Sequence, residues 1–190
     1  GLKLYACAYS TYFLARAVSL PVFGKLSDLF AVKKLFLFSI ALFIAASVAV
    51  GASPTMEFLV FTRIFQGIGT GGIFALVYVV LSDVAPEGQR PKVLSFASSI
   101  WGIASLIGPT FGGFMVTWYS WRWIFYINLP LGLISLVSVF IFFREFREKP
   151  DKVYIDWAGT LLLSGAILGI LVLAMAGGRD LPWHSPVTIG

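Results

Sequence analysis

The stretch "LVFTRIFQGIGTGG" (59–72) places a charged residue, Arg63, inside a run that is otherwise apolar or small. If this run crosses a membrane, an arginine near its centre costs roughly 2.5–3.5 kcal/mol. Such residues usually face a bundle interior or an aqueous cavity and mark a pathway, and Gln66 shares the same helix face. The alternative is that Arg63, only about five residues from the start of its span, extends to the outer interface. We favour a functional position facing the interior.

The glycines after Arg63 satisfy two different spacings. Gly67, Gly69 and Gly72 match the dinucleotide-binding pattern G-x-G-x-x-G, but that pattern requires a preceding strand and a soluble βαβ unit. Gly67 and Gly71 also form G-x-x-x-G, which allows membrane helices to pack closely. The surroundings favour helix packing over nucleotide binding.

Composition decides the class of the whole chain. Its 190 residues are 58% hydrophobic and 12% charged, whereas soluble domains carry roughly 25% charged residues. The apolar residues fall into blocks long enough to be membrane-spanning helices, separated by short gaps that force neighbouring helices to be antiparallel. The alternation typical of a membrane β-barrel is lacking. Six blocks are predicted to span: about 4–23, 35–52, 58–80, 93–117, 124–143 and 157–176.

The charges predict which side of the membrane each gap faces. Nine of the fourteen Lys and Arg residues lie in the gaps 24–34, 81–92 and 144–156. Basic-rich gaps face the cytoplasm, so the first span should run from outside to inside. An aromatic cluster at 118–123 marks an outer boundary, as interfacial belts do. Membrane orientation explains the basic charge, so nucleic-acid binding is not expected.

The organisation along the chain follows from these spans. Residues 1–143 are expected to be part of an N-terminal transporter bundle, 144–156 a cytoplasmic linker, and 157–190 an additional span with an outer loop. The chain starts almost at its first span, without an initiator Met or a signal peptide, and ends in a lead-in to another helix. We therefore expect a fragment that is truncated at both ends.

The inner gap "GKLSDLFAVKK" (24–34) contains an acid in an unusual position. Asp28 lies just past the C-terminal end of the first span, where the helix dipole disfavours a carboxylate. It therefore needs a nearby cation, which Lys33, Lys34 or Arg90 could supply. Gly24 allows a close backbone approach or a left-handed turn. The alternative is a solvated loop with an ordinary acid.

The segment "GIASLIGPTFGG" (102–113) has a proline in mid-span. Pro109 removes one helical hydrogen bond and tends to kink the helix. Gly108, Gly112 and Gly113 surround it, and Gly108 and Gly112 repeat the G-x-x-x-G spacing. A kinked, glycine-faced helix suits a moving bundle interface, although a static kink would have the same sequence.

Arg16 is a second cavity candidate because it lies near the middle of the first span. The chain has no Ser-His-Asp set, Cys/His cluster or H-E-x-x-H motif, and its one cysteine, Cys7, cannot form an internal disulfide. His184 is predicted to be a surface residue. We therefore predict no enzymatic activity, no cofactor and no metal site.

Several of these segments, in this order, resemble the major facilitator superfamily, in its branch of fourteen-span drug–proton antiporters. "GKLSDLFAVKK" resembles the loop motif between the family's second and third helices, "RIFQGIGTGG" the fourth-helix motif, and "GPTFGG" the antiporter motif of the fifth helix. "DVAPEGQR" (83–90), "SWRWIFYINLPLG" (120–132) and "IDWAG" with "GGRDLPWHSP" are similar to further signatures of this branch. The resemblance covers essentially the whole chain as helices two to seven.

The resemblance implies an all-α integral membrane protein, an antiparallel transmembrane helix bundle of the major facilitator type. It implies that Arg63 acts in proton coupling or cavity polarity. Gln66 and Arg16 are transport or coupling candidates because of their own positions, on the Arg63 face and in mid-span. The resemblance also implies that Asp28 and Gly24 stabilise the outward-open state through inner-face contacts. The antiporter motif, Gly108, Pro109, Gly112 and Gly113, would by the same resemblance shape an interface that favours export. In the loop motif, Ala31 replaces the usual glycine and Val32 a basic residue, which would weaken the inner contacts. The inner-loop set is Gly24, Asp28, Lys33, Lys34, Asp83 and Arg90.

The expected function is proton-coupled export of amphipathic organic compounds by alternating access, from a multi-pass position in the cell membrane. The expected partners are a small-molecule substrate, protons and the lipid bilayer, and the intact protein is expected to be monomeric. One alternative is an uptake carrier for a polar metabolite, against which the antiporter motif argues. Another is a membrane sensor or assembly protein that keeps the fold without transport.

Overall fold

The computed structural model describes residues 2–145 and 157–176, and within these ranges the chain is α-helical without strands. The all-α fold predicted from the apolar blocks is confirmed. Residues 146–156 and 177–190, which include most of the predicted linker and the outer loop with His184, lie outside the described residues. The described helices are α1 (Leu2–Leu29), α2 (Val32–Gly51), α3 (Met56–Val84), α4 (Arg90–Trp118), α5 (Trp123–Tyr126), α6 (Asn128–Phe142) and α7 (Trp157–Ala176).

Helix α3 is the centre of the bundle and packs against both α1 and α2. Its glycines make this possible on two sides. A Cβ atom added at Gly67 or Gly71 would lie 2.6 or 2.7 Å from a backbone carbonyl oxygen of α1, and one added at Gly69 would lie 2.8 Å from a backbone nitrogen of α2. Small residues let membrane helices approach until their backbones touch, which maximises van der Waals contact.

The apolar core fills the space between these helices and their neighbours. One buried cluster joins Phe23 of α1 and Leu76 of α3 to a stripe on α2, against which α6 also packs. A second cluster, at the opposite end of the bundle, joins α1, α2 and α3 to Phe125 of α5. The two clusters hold α1, α2, α3, α5 and α6 together, whereas no residue of α4 is buried by the described residues.

Two sets of contacts confirm that neighbouring helices are antiparallel. At one end, the start of α2 meets the end of α6, where the backbone N–H of Val32 donates to a Glu145 carboxylate oxygen at 2.8 Å. At the other end, Arg122 donates from Nη2 to the Ser53 carbonyl oxygen at 3.2 Å, joining the α2–α3 turn to the α4–α5 turn. The basic-rich gap at 24–34 and the end of α6 are therefore on one face, as the charge pattern predicts.

The helices differ from the predicted spans in number and in length. Four described helical segments are long and apolar enough to cross a membrane: Val32–Gly51, Met56–Val84, Arg90–Trp118 and Trp123–Phe142. Helix α1 is long enough, with 28 residues, but it carries charged and hydroxyl side chains that make it less apolar. The apolar part of α7 is shorter, Ala158–Leu173. The predicted span at 124–143 is broken at Ile127 into α5 and α6.

Candidate functional site

Arg63 lies two helical turns into α3, on the side that packs against α1 and α2. Its side chain is enclosed by two aromatic rings, because its Cζ atom lies 4.8 Å from the Phe125 ring centroid and 5.2 Å from that of Tyr12. Contacts at these distances are cation–π interactions, which replace part of the hydration of the guanidinium. Arg63 is half-buried, and these contacts place its charge between α1, α3 and α5.

Arg63 also begins a chain of buried hydrogen bonds. Its Nη1 donates to Gln66 Oε1 at 2.9 Å, and Gln66 Nε2 donates to Ser47 Oγ of α2 at 2.8 Å. Gln66 is only 2% exposed and Ser47 is fully buried. The i,i+3 spacing that puts Arg63 and Gln66 on one face makes the first bond possible. Gln66 therefore couples the arginine to the α2–α3 contact.

One donor of this group has no partner. Arg63 Nε is fully buried and has no hydrogen-bond acceptor among the described residues. Buried polar atoms without partners are rare, and each costs about 1–3 kcal/mol, or more when it belongs to a charged group. One donor of a charged group is therefore left uncompensated between α1, α3 and α5.

A second polar position lies one turn further along α3. Tyr12 of α1 donates from its hydroxyl to Thr70 Oγ1 at 3.3 Å, and Thr70 Oγ1 donates to the Gln66 carbonyl oxygen at 2.8 Å. The Tyr12 ring is also the one that faces Arg63. Tyr12 thus connects Arg63 to the cavity that contains Arg16, the other arginine predicted as a cavity residue.

The inner-loop residues are arranged differently from the sequence prediction. Helix α1 continues to Leu29, so Gly24 and Asp28 lie on its last two turns and not in a loop. Lys25, which the sequence analysis did not consider as a partner, forms a salt bridge with Asp28, with 3.5 Å between Nζ and Oδ2. Lys33 donates from Nζ to the Phe140 carbonyl oxygen at 2.7 Å, near the end of α6.

The remaining inner-loop residues lie close to helix ends. Asp83 is in the last turn of α3, Arg90 is the first residue of α4, and Lys34 is exposed in the first turn of α2. The turn between α3 and α4 contains Gly88 at a φ of 77°, a left-handed conformation that glycine adopts without strain. The structure brings Lys33 to α6, where its Nζ donates to the Phe140 carbonyl oxygen.

The antiporter-motif residues lie on α4, which continues as a helix through Pro109. A Cβ atom added at Gly108, Gly112 or Gly113 would have no described atom within 4 Å. The expectation that this glycine face packs tightly is therefore not met by any described element. Gly67 and Gly71, by contrast, lie directly against α1.

Sequence reasoning missed several residues that complete the site. Tyr12 could have been found, because it lies four residues before Arg16 and shares its helix face. Ser47, Phe74, Trp101 and Phe125 lie on other helices, and nothing in their local sequence distinguishes them from ordinary core or lipid-facing residues. Their role follows only from the contacts between helices.

A helical bundle with segments long enough to cross a bilayer and arginines enclosed between its helices defines a multi-pass membrane protein. The chain belongs to the Major Facilitator Superfamily, because the model of that family matches residues 2–178. The resemblance noted from the sequence motifs is thereby confirmed.

Characterised relatives are similar over almost the whole chain. It is 32% identical over 186 residues to multidrug resistance protein 3 of Bacillus subtilis, covering 98% of the chain and 36% of that protein. It is 35% identical over 181 residues to the MFS-type transporter TwmF of Talaromyces wortmannii, covering 93% of the chain and 33% of that protein. It is 32% identical over 194 residues to the efflux pump FUS6 of Gibberella fujikuroi, covering 98% and 35%. The chain thus spans about a third of the length of these relatives.

Proposed function

We propose that the full-length protein is a proton-coupled secondary transporter that exports amphipathic organic compounds by alternating access. The observation that carries this proposal is the enclosed Arg63, whose Nε donor lacks a partner among the described residues. A buried charge with an unsatisfied donor is costly, and charges inside membrane bundles usually mark substrate or ion pathways. Relatives named as a multidrug resistance protein and an efflux pump support export as the direction.

In this proposal, Arg63 and Gln66 respond to the protonation of a group that reaches the Arg63 Nε donor when the helices move apart, because the donor is fully enclosed in the conformation of this structure. When that group loses its charge, the arginine loses its partner and the α1–α3 side of the cavity becomes less stable in that conformation. The cost of leaving a buried charge without compensation would then favour the other conformation. Asp28 and the inner-loop set act at the opposite end, by stabilising the outward-open state, and the antiporter-motif glycines shape an interface that favours export.

The test uses everted membrane vesicles containing the full-length protein, with an imposed inside-acid proton gradient. Uptake of two amphipathic dyes, cationic ethidium and anionic carboxyfluorescein, is measured in the unaltered protein and in Arg63→Ala. We expect gradient-driven uptake of at least one dye, and its loss in Arg63→Ala. Arg122→Ala is the matched control, since Arg122 also stacks on an aromatic ring, with 4.4 Å from its Cζ atom to the Trp121 centroid, but lies at the outer boundary.

The outcomes separate the parts of the proposal. If neither dye enters the vesicles, export of amphipathic compounds is wrong. If uptake occurs without a proton gradient, export stands and proton coupling is wrong. If Arg63→Ala transports as well as Arg122→Ala, the coupling role of Arg63 is wrong. Asp28→Ala should slow uptake without abolishing it, and an unchanged rate would remove Asp28 from the mechanism.

A further inference from the structure

A cavity of about 290 Å³ lies between α1, α3 and α4. It is lined by one cation, Arg16, by the hydroxyl-bearing side chains of Tyr12, Thr70 and Tyr78, and by the rings of Phe74 and Trp101. This volume is at the lower end of the range for small-molecule sites, which are typically ~300–1,000 Å³. The cavity has room for a ligand with one or two aromatic rings.

The charge in this cavity lacks a counter-ion among the described residues. The Arg16 guanidinium has its Cζ atom 4.7 Å from the Phe74 ring centroid and 5.4 Å from that of Trp101, and no described residue accepts a hydrogen bond from it. Ring faces attract the cation but do not satisfy its five N–H donors. Arg16 therefore presents unused donors in a planar arrangement that matches a carboxylate.

The surroundings make this region positive. The five acidic residues that the structure describes lie at or beyond helix ends, so none of them is in the middle of a helix as Arg16 is: Asp28, Glu57, Asp83, Glu87 and Glu145. The Tyr12 ring faces Arg63 on one side, and Tyr12 also lines the cavity around Arg16. Charges interact more strongly in a low-dielectric interior than in water. The two arginines therefore disfavour a cationic ligand and favour an anionic one.

The aromatic walls define the rest of the ligand. The Phe74 ring lies edge-on to the Trp101 ring at 5.6 Å and to the Tyr78 ring at 5.3 Å, so the three rings form one continuous surface between α3 and α4. Flat rings of a ligand gain contact area and favourable ring–ring geometry on such a surface. The hydroxyl of Tyr78 can donate to an anionic group held by Arg16, whereas the Tyr12 hydroxyl already donates to Thr70 Oγ1.

We propose that this cavity binds a planar aromatic carboxylate, with the carboxylate on Arg16 and the rings against Phe74 and Trp101. As a statement about the transported substrate it rests on the proposed export function, and it narrows the amphipathic compounds to organic anions. The binding itself does not depend on proton coupling or on the direction of transport. A binding assay can therefore test it separately.

The test compares three ligands with one ring system on the purified full-length protein: 2-naphthoate, 2-naphthamide and 2-naphthylmethylammonium. Because the three ligands share one ring system, their ring contacts are matched and only the charge differs. Equilibrium binding is measured by scintillation proximity with tritiated ligands. We expect 2-naphthoate to bind roughly tenfold or more tightly than the other two, as a charge-assisted pair on Arg16 requires. Arg16→Gln should weaken 2-naphthoate about tenfold or more and leave 2-naphthamide within about twofold.

Two further variants guard against a folding defect. Arg16→Lys keeps the charge, so it should retain a preference for 2-naphthoate, although a weaker one because the planar donor pair is lost. Arg122→Gln removes an arginine that stacks on Trp121 outside the cavity, and it should bind all three ligands like the unaltered protein. Because the charge preference is also measured in the unaltered protein, the proposal remains testable even if Arg16→Gln does not fold.

Equal binding of the three ligands, a preference for 2-naphthylmethylammonium, or no binding of any of them overturns the proposal. So does 2-naphthoate binding that is unaffected in a folded Arg16→Gln protein. If 2-naphthoate binding depends on Arg16 but neither dye shows gradient-driven uptake into vesicles, the site is supported and the proposed export is contradicted. If ethidium shows gradient-driven uptake but 2-naphthoate binding does not depend on Arg16, the proposed export is supported and the carboxylate site is contradicted.

Discussion

The same glycine spacing has opposite surroundings in two helices of this protein. In α3, Gly67 and Gly71 lie so close to α1 that an added Cβ atom would be 2.6–2.7 Å from backbone carbonyl oxygens. In α4, Gly108 and Gly112 have the same spacing, and an added Cβ atom would meet no described atom within 4 Å. G-x-x-x-G makes one strip of a helix flat, but only a facing helix turns that strip into an interface.

The two helices also differ in polarity. The packed side of α3 contains the buried Gln66 and its bond to Ser47, whereas the described residues bury no side chain of α4. A polar side chain can be buried only where a partner is fixed in place. The close approach of α2 to α3 is what fixes Ser47 for Gln66. The glycines and the polar network of α3 are therefore parts of one arrangement.

The largest effect is expected from Gly71→Ala. The new methyl group would be 2.7 Å from the Arg16 carbonyl oxygen, which is backbone and cannot move aside alone, so α1 and α3 must separate. We expect the free energy of unfolding to fall by about 1–3 kcal/mol, as in other overpacked interiors. The melting temperature of the purified full-length protein, followed by size-exclusion chromatography after heating, measures this.

Gly112→Ala is the matched control for this comparison, with an expected change within about 0.5 kcal/mol. Equal destabilisation by both substitutions would mean that α4 is packed just as closely in the full-length protein. A neutral Gly71→Ala would mean that the α1–α3 contact relaxes easily, and the contrast between the two helices would be wrong.

An intermediate effect is expected from Gln66→Leu. Leucine fills similar space but leaves Arg63 Nη1 and Ser47 Oγ without the bonds that Gln66 makes. Because Arg63 is only half-buried, water can replace part of these bonds, and we expect a total loss of about 1–2 kcal/mol. The same melting assay measures the effect, and Gln89→Leu, at an exposed position before α4, should change the melting temperature little. Similar melting temperatures for the two variants would show that the Gln66 network does not stabilise the α2–α3 contact.

The smallest effect is expected at the inner end of the bundle, from Glu145→Ala. Glu145 accepts from the backbone N–H groups of Val32 and Lys33, at 2.8 and 3.2 Å, while Lys33 donates to the end of α6. A carboxylate at a helix start and an ammonium at a helix end both match the helix dipoles. Ala31, the residue before α2, provides no side-chain cap of its own, so Glu145 takes that role.

Loss of a helix cap costs about 0.5–2 kcal/mol, and we expect the lower end of this range because Glu145 is exposed. Hydrogen exchange of the amides of Val32 and Lys33 should become faster in Glu145→Ala, and exchange at the start of α3 should not change. Glu87→Ala, in the exposed α3–α4 turn, is the control. Unchanged exchange at Val32 would show that Glu145 does not cap α2 in solution.

The sequence alone was sufficient for the all-α class and the antiparallel order, because both depend on the pattern of apolar blocks and short gaps. The family came from the resemblance of its motifs, such as "RIFQGIGTGG" and "GPTFGG". The sequence also identified Arg63 and Gln66 as neighbours, since i,i+3 spacing is a property of one helix. It predicted six spans, and four described helical segments are long and apolar enough to cross a membrane.

The tertiary structure decided everything that depends on two helices at once. It determined that Gly67 and Gly71 are packed while Gly108 and Gly112 have no described neighbour, although their spacing is identical. It brought Lys33 of α2 to the Phe140 carbonyl oxygen near the end of α6. It also placed Phe74 and Trp101 around Arg16. The periodicity of a helix determines which residues share one face of that helix. Only the packing of the bundle determines which other helix, if any, contacts that face.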